Sequence, residues 1–267
     1  MKRYPVILTI AGSDCSGGAG IQADIKTISA LGCYAASVIT AVTVQNTWGV
    51  KDVHAIPPEI VRGQIEAVMD DLHPDAIKIG MVSNRTVVSE IVDCLQKYRP
   101  SCVIYDPVMV STSGRRLMDD IVVEQIKNEL FPLVHLITPN LDEVATLTGH
   151  KPTTLAEMKK AARKLSNKYH IAVLVKGGHL NGDEMYDVLH EHNTTYVYKE
   201  SKIESSNLHG TGCTLSSSIA TYMAKGCRLN EAIDKSKYFI SQSIAAAKEL
   251  NIGSGNGPLW HFHRNNL

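Results

Sequence analysis

Short apolar runs rich in β-branched residues alternate along this chain with longer segments of helical periodicity. A segment such as 84–98 carries apolar residues three and four positions apart, which is typical of a helix with one buried face. Parallel strands joined by right-handed helical crossovers follow from this alternation. The sequence therefore predicts an α/β fold around a mostly parallel sheet. The apolar runs occupy residues 6–12, 38–46, 76–80, 102–110, 136–140 and 172–178.

The pattern changes after the last of these runs. Residues 182–203 alternate more weakly and carry Asn and Thr at a turn, which indicates antiparallel edge strands. Two long helical patterns follow, over 211–226 and 230–250. No linker, low-complexity tract or internal repeat divides the chain, so we expect one domain over residues 1–267.

The charge balance and the cysteines limit the possible partners and the cellular compartment. The chain has 27 Lys+Arg and 27 Asp+Glu, and a net charge of zero argues against binding to nucleic acid or to an acidic membrane surface. No apolar stretch approaches the ~20 residues that span a bilayer, and the N-terminus lacks the apolar core of a signal peptide. The six cysteines form no C-x-x-C pair, which favours reduced thiols in a cytoplasmic protein.

The predicted strands end in polar or glycine residues, and Met81 directly follows the third strand. Ligands of open α/β sheets bind outside the carboxyl ends of the strands, so these residues are candidates for a binding site. They include Gly12, Gln45, Met81, Asp106, Asn140 and Lys176.

The segment His209–Thr214 (HGTGCT) precedes a helical pattern. Its glycines permit a turn with converging N–H groups, and the helix N-terminus adds partial positive charge, so the segment predicts an anion-binding site. A thiol at a helix start should have a lowered pKa, which makes Cys213 a candidate base. A glycine-rich turn with a packed cysteine remains an equal alternative on this motif alone.

The first glycine-rich loop, GSDCSGGAG, lacks both the Lys-Ser/Thr of a P-loop and the G-x-G-x-x-G of a dinucleotide fold. We expect it to bring backbone close to a flat ligand, with Asp14 and Asp24 nearby. A plain β–α turn is the alternative.

Three further features have both a functional and a structural interpretation. Asn140-x-x-Glu143 could hold hydrated Mg²⁺, although helix capping is the commoner cause of this spacing. Lys176 could neutralise a polyphosphate and Asp106 could face the metal or a reacting hydroxyl, or both could be surface charges. His261-Phe262-His263 has the spacing of metal ligands, but packing of a terminal segment is favoured.

The motifs together resemble the hydroxymethylpyrimidine and phosphomethylpyrimidine kinases of thiamine biosynthesis, within the ribokinase-like superfamily. The resemblance covers nearly the whole chain, through TIAGSDCSGGAG, VTVQNTWGV, KIGM, DPVMVSTSG, LITPNLDE, VLVKGGH, HGTGCTLSSSIA and GPLWHFH. It implies a three-layer α/β/α sandwich, ATP with Mg²⁺, a homodimer, and phosphoryl transfer to a hydroxymethyl group and then to the resulting monophosphate.

The resemblance also assigns roles by position in this sequence. It implies an anion site and base at Gly210, Thr211, Gly212 and Cys213. It implies a pyrimidine pocket at Gln45, Asp24, Ala19, Gly12 and Met81. It implies nucleotide contacts at Lys176, Asn140, Asp106 and Lys237, with Glu143 at the metal. Two positions depart from the family pattern: Cys15 stands where Pro is common, and Thr112 stands where Lys is frequent, which puts a phosphate contact from that loop in doubt.

Three alternatives remain. A pyridoxal or pyridoxine kinase would use the same GTGC signature, since its substrate also presents a ring nitrogen and a CH₂OH group. A Rossmann oxidoreductase would need the missing G-x-G-x-x-G. A ligand-binding protein without catalysis would have no need of an anion site facing a base.

Overall fold

The computed structural model describes residues 3–82, 84–109, 118–178 and 184–263. Its strands are β1 (Val6–Asp14), β2 (Tyr34–Asn46), β3 (Gly49–Ala55), β4 (Ala76–Ile79), β5 (Val103–Tyr105), β6 (Leu136–Ile137), β7 (Ala172–Lys176), β8 (Glu184–Glu191) and β9 (Thr194–Ser201). Its α-helices are α1 (Gly20–Ala30), α2 (Pro58–Asp71), α3 (Arg85–Tyr98), α4 (Asp120–Gln125), α5 (Leu141–Thr148), α6 (Leu155–Tyr169), α7 (Thr211–Ala224) and α8 (Leu229–Ala247).

These strands form one sheet in the order β3-β2-β1-β4-β5-β6-β7-β8-β9. The pairs from β2 through β7 are parallel, and β8 and β9 add antiparallel strands at one edge. The parallel centre and the antiparallel edge over 182–203 were both predicted. At the other edge, β3 pairs antiparallel with β2, and the sequence analysis did not identify this strand.

Helices cover both faces of the sheet. Neighbouring residues of β1 point to opposite faces: Ile7 belongs to an apolar cluster with α1, α7 and α8, and Leu8 belongs to a second cluster with α2, α3 and α6. Strands buried on both faces read as continuous apolar runs, which explains the pattern seen in the sequence. The predicted three-layer α/β/α architecture is confirmed.

Local signals set the helix boundaries that matter for the site. Asn140 caps α5 with a reciprocal bond to Glu143, and Gly210 precedes α7 with a φ of 87°. Among the described residues, none of the helices combines the length and apolar character needed to span a bilayer.

Candidate active site

A cavity of about 1130 Å³ opens at the carboxyl ends of the parallel strands and at the N-terminus of α7. This volume is slightly larger than the ~300–1,000 Å³ typical of small-molecule sites. With the exception of Asp24, the residues assigned by resemblance all line it. They are Gly12, Ala19, Gln45, Met81, Asp106, Asn140, Glu143, Lys176, Gly210, Thr211, Gly212, Cys213 and Lys237.

The start of α7 lies against the first glycine-rich loop. A Cβ atom on Gly210 would stand 1.8 Å from the carbonyl oxygen of Gly18, and a Cβ on Gly18 would stand 2.2 Å from Cδ2 of His209. The two loops therefore meet backbone to backbone, which only glycine permits. The first-turn N–H groups of a helix have no intrahelical acceptor, so at α7 they and the positive end of the helix dipole adjoin the cavity. This arrangement suits an anion.

The structure contradicts the expected acidity of Cys213. Burial raises the pKa of its thiol to about 11, although the nearby ammonium of Lys78 acts in the opposite direction. A helix terminus offers only about half a charge, and it does not offset the loss of solvation around a thiolate. The thiol still lines the cavity, but its protonated form dominates near neutral pH.

One end of the cavity is organised by a histidine that the sequence analysis did not assign. His209 Nε2 lies 2.9 Å from Oδ2 of Asp14 and 3.0 Å from the side-chain nitrogen of Gln45, and Thr43 donates to Oε1 of Gln45 at 3.1 Å. Burial alone would raise the pKa of Asp14, but hydrogen bonds from His209 and from its own loop lower that pKa to about 2. The carboxylate of Asp14 therefore fixes the imidazole ring of His209, which contacts the side chain of Gln45.

The wall beside this group is formed by Gly12, Ala19 and Met81. A Cβ on Gly12 would stand 2.5 Å from the terminal carbon of Met81, so the glycine makes room for that side chain. Cys15, one of the departures from the family pattern, is exposed and donates its S–H to the carbonyl of Gln45 at 3.1 Å. The other departure, Thr112, lies outside the described residues.

At the other end of the cavity, Lys176 and Lys237 are each paired with a carboxylate. Lys176 Nζ lies 2.7 Å from Asp106, and Lys237 Nζ lies 2.6 Å from Asp187, a residue that the sequence analysis did not assign. Burial would raise the pKa of Asp106, but Lys176 and Lys78 outweigh it, so this pKa falls below its ordinary value. The positive charge of both lysines is therefore locally compensated.

Asn140 and Glu143 form the capping box that was left open as the structural alternative. Asn140 Oδ1 accepts from the backbone N–H of Glu143 at 2.9 Å, and Glu143 Oε2 accepts from the N–H of Asn140 at 2.6 Å. Burial raises the pKa of Glu143 to about 7, with Lys176 opposing the rise and Asp106 adding to it. Within the described part of the chain, no three His, Cys, Asp or Glu side chains cluster as a metal site.

Asp24 and the two histidines of the terminal segment lie outside the cavity lining. Asp24 does not line the cavity: it is fully buried beneath the floor and paired with Lys78, so a direct contact with a ligand is not available to it. His261 packs inside the protein, with Nε2 2.9 Å from Oγ1 of Thr214, and the ring of His263 packs at a tilt of 45° against Phe239. The packing interpretation of that terminal segment is the one observed.

Comparison with known proteins identifies the family. The model of the family described as phosphomethylpyrimidine kinase matches residues 14–260. A hydroxymethylpyrimidine/phosphomethylpyrimidine kinase of Rhizobium meliloti is 48% identical over 260 residues, which cover 97% of each chain.

Solved structures agree. The phosphomethylpyrimidine kinase of Clostridium difficile superposes with a TM-score of 0.80 at 44% identity, covering 90% of this chain and 99% of that one. A pyridoxal kinase of Staphylococcus aureus in complex with AMP-PCP superposes with a TM-score of 0.90 at 31% identity, covering 100% and 96%. The chain belongs to the phosphomethylpyrimidine kinase family and is a phosphotransferase.

Proposed function

We propose that this chain, acting as one kinase domain, transfers the γ-phosphoryl group of ATP to the hydroxymethyl group of 4-amino-5-hydroxymethyl-2-methylpyrimidine. It then phosphorylates the monophosphate to the diphosphate, in thiamine biosynthesis. The observation that carries the proposal is the joining of a small polar pocket to an anion-binding helix start within one cavity. The names of the relatives support the choice of acceptor.

Two ends of the cavity suit two substrates. Gln45 offers an amide edge that matches the ring nitrogen and amino group of a pyrimidine, and its neighbours His209 and Thr43 restrict its rotation. The α7 amides and Lys176 lie where negative charge can be bound. Phosphoryl transfer demands chiefly positioning and charge stabilisation, and the side chains present supply both.

Magnesium fits the carboxylate that has the raised pKa. Glu143 is desolvated beside Asp106, and a cation would stabilise its ionised form. Mg²⁺ is commonly held by one or two carboxylates together with substrate phosphates and water, so a three-residue cluster is not required. When bound, the ion neutralises charge on the phosphate oxygens.

Cys213 lies beside the anion site and is the side chain that we assign as base. Only its thiolate can accept the proton of the hydroxyl, and burial makes that form scarce at pH 7. A loose transition state for phosphoryl transfer needs little deprotonation early, so a weakly populated base can serve.

The test is turnover of Cys213→Ala with ATP and the pyrimidine, followed by ADP release and by mass of the products. We expect kcat to fall by about 10²–10⁴-fold, the usual worth of a positioned base. Cys227→Ala, in the turn that follows α7, is the matched control. Near-wild-type kcat in Cys213→Ala would remove the assigned role, and the absence of mono- and diphosphate products in the unmodified enzyme would remove the function.

A pyridoxal kinase is the second candidate, because the Staphylococcus aureus pyridoxal kinase superposes over the whole chain. Its substrate also carries a ring nitrogen and a hydroxymethyl group. A comparison of kcat/KM for the pyrimidine and for pyridoxal separates the two functions. A homodimer, implied by the family resemblance, and a cytoplasmic location, indicated by the cysteine pattern, stay predictions.

A further inference from the structure

A buried ion pair lies beneath the floor of the cavity. Lys78 on β4 places Nζ 2.8 Å and 3.0 Å from the two carboxylate oxygens of Asp24 on α1, and both side chains are fully buried. The carboxylate also accepts from the hydroxyls of Thr9 on β1 and Ser217 on α7, each at 2.5 Å. Two helices and two strands therefore meet at this one carboxylate.

The ammonium group is directed towards the reactive end of the sheet. A Cβ on Gly80, which follows β4 at its carboxyl end, would stand 2.8 Å from Nζ of Lys78. Ser217 lies one helical turn after Cys213 on α7, so the two residues share one helix face. Asp24 therefore contacts, through Ser217, the helix face that carries the thiol, and neither Asp24 nor Lys78 lines the cavity.

Stability alone is a weak explanation for this pair. Desolvating two charges costs several kcal/mol per ion, and apolar replacements of buried pairs are often neutral or stabilising. The position is also electrostatically specific. The charged groups around Cys213 are Lys78 and Asp24 below it, and Asp106 with its partner Lys176 on the cavity side.

The ions act on the thiol with opposite signs. The charge of Lys78 lowers the pKa of Cys213, whereas Asp24 and Asp106 raise it, and burial raises it most. Lys78 stays charged because Asp24 outweighs the burial that opposes its ionisation, which raises its pKa above the ordinary value.

We propose that Lys78 is a positioning residue of the phosphoryl-transfer site, whose buried ammonium, held in place by Asp24, stabilises the thiolate form of Cys213. The proposal rests on the function proposed above. In that reaction the O–H bond of the acceptor breaks and an S–H bond forms at Cys213. The acceptor oxygen bonds to the γ-phosphorus, and ADP leaves with the electron pair of the broken P–O bond.

The decisive property is the sign of the effect of each partner. Lys78→Met removes the stabilising charge and leaves Asp24, so the pKa of Cys213 should rise by about one unit. Asp24→Asn leaves the ammonium, so the pKa should fall by a similar amount, and the double variant should lie between the two. A merely structural pair would produce defects of the same kind in both single variants.

The measurement is the pH dependence of Cys213 alkylation by iodoacetamide, located by mass spectrometry of proteolytic peptides. At pH 8 the alkylation rate should fall about tenfold in Lys78→Met and rise in Asp24→Asn, following the thiolate fraction. The double substitution Lys237→Met with Asp187→Asn is the matched control, because that buried pair is not among the charges that act on Cys213. It should leave the thiol pKa in place.

Shifts of the same sign in the two single variants, or no shift in Asp24→Asn, would overturn the proposal. If Lys78→Met does not fold, the Asp24→Asn titration alone decides. Opposite shifts in an enzyme that does not phosphorylate the pyrimidine would leave the electrostatic coupling intact and remove the function. An active kinase without these shifts would remove only the role of Lys78.

Discussion

Replacement of Gly210 by alanine tests whether the two glycine-rich loops must touch for the kinase to work. Gly210 has a φ of 87°, and a Cβ there would stand 1.8 Å from the carbonyl oxygen of Gly18. Gly226, at the other end of α7, provides a matched control. Its φ is 86°, and among the described residues no atom lies within 4 Å of an added Cβ.

The two substitutions share one cost and differ in another. Each forces alanine into the left-handed region, which costs about 1–2 kcal/mol of unfolding free energy. Only Gly210→Ala also forces backbone away from backbone, because its Cβ would stand 1.8 Å from the carbonyl oxygen of Gly18. A shift of about 1 Å at reacting groups can already cost about 100-fold in rate. We therefore expect kcat/KM for the pyrimidine to fall about 100-fold in Gly210→Ala and to stay near wild type in Gly226→Ala.

Urea unfolding and steady-state kinetics on both variants separate these costs. The clash should make the loss of unfolding free energy larger in Gly210→Ala than in Gly226→Ala. A folded Gly210→Ala variant whose kcat/KM is far below that of Gly226→Ala would support the contact as a catalytic requirement. Equal kinetics for the two variants would refute it, because the loops would then tolerate separation without effect on the anion site.

Three other outcomes are expected. Gln45→Leu should raise the KM for the pyrimidine by about tenfold, which corresponds to the loss of one hydrogen bond, and leave the KM for ATP unchanged. Equal rises in the two KM values would place Gln45 outside the pyrimidine pocket. If Cys213 is the base, its pKa of about 11 predicts that kcat rises with pH between 7 and 9 in wild type but not in Cys213→Ala, and parallel profiles would count against it. Burial lowers the pKa of His261 to about 4. Between pH 7 and pH 5 the unfolded chain therefore binds a proton at this residue and the folded chain does not, so the free energy of unfolding should fall by about 2 kcal/mol. His261→Gln should lack that contribution in urea titrations at the two pH values, and an unchanged drop would contradict it.

The parallel sheet could be read from the sequence because burial on both faces leaves a direct trace. β1 is buried along almost its whole length and appears as one apolar run. β3 left no such trace, because it is an edge strand with exposed positions at Lys51, Asp52 and His54. Exposed edge strands carry few apolar residues, so their sequences resemble those of loops.

The candidate site was predictable for the same topological reason. Parallel strands end at one edge, and the residues after them meet there whatever their separation in sequence. The contact between His209 and Asp14 joins positions far apart in the chain, and no sequence motif predicts that these two residues pair. Asp187 was not predicted as a site residue because it lies within the antiparallel strand β8 and not at the end of a parallel strand.

Burial depth explains the two errors about the site. Asp24 and Cys213 both follow a glycine-rich turn, and the sequence does not say how far each lies below the cavity surface. Asp24 is fully buried, and the thiol of Cys213 is desolvated enough to reverse the expected direction of its pKa. Desolvation acts over atoms from several elements, so a local motif predicts the residue but not its acidity.

The pairing of the lysines changes what can attract a nucleotide. Lys176 and Lys237 are held by Asp106 and Asp187, so neither pair adds net charge to the cavity. An ammonium has three donor hydrogens, however, and a carboxylate that occupies one of them leaves others for phosphate oxygens. The carboxylates thus fix the lysines before the ligand arrives, which reduces the entropy lost on binding. The α7 N-terminus adds a positive potential that no carboxylate partner of these two lysines compensates, and Gly210 at its start packs directly against the backbone of Gly18.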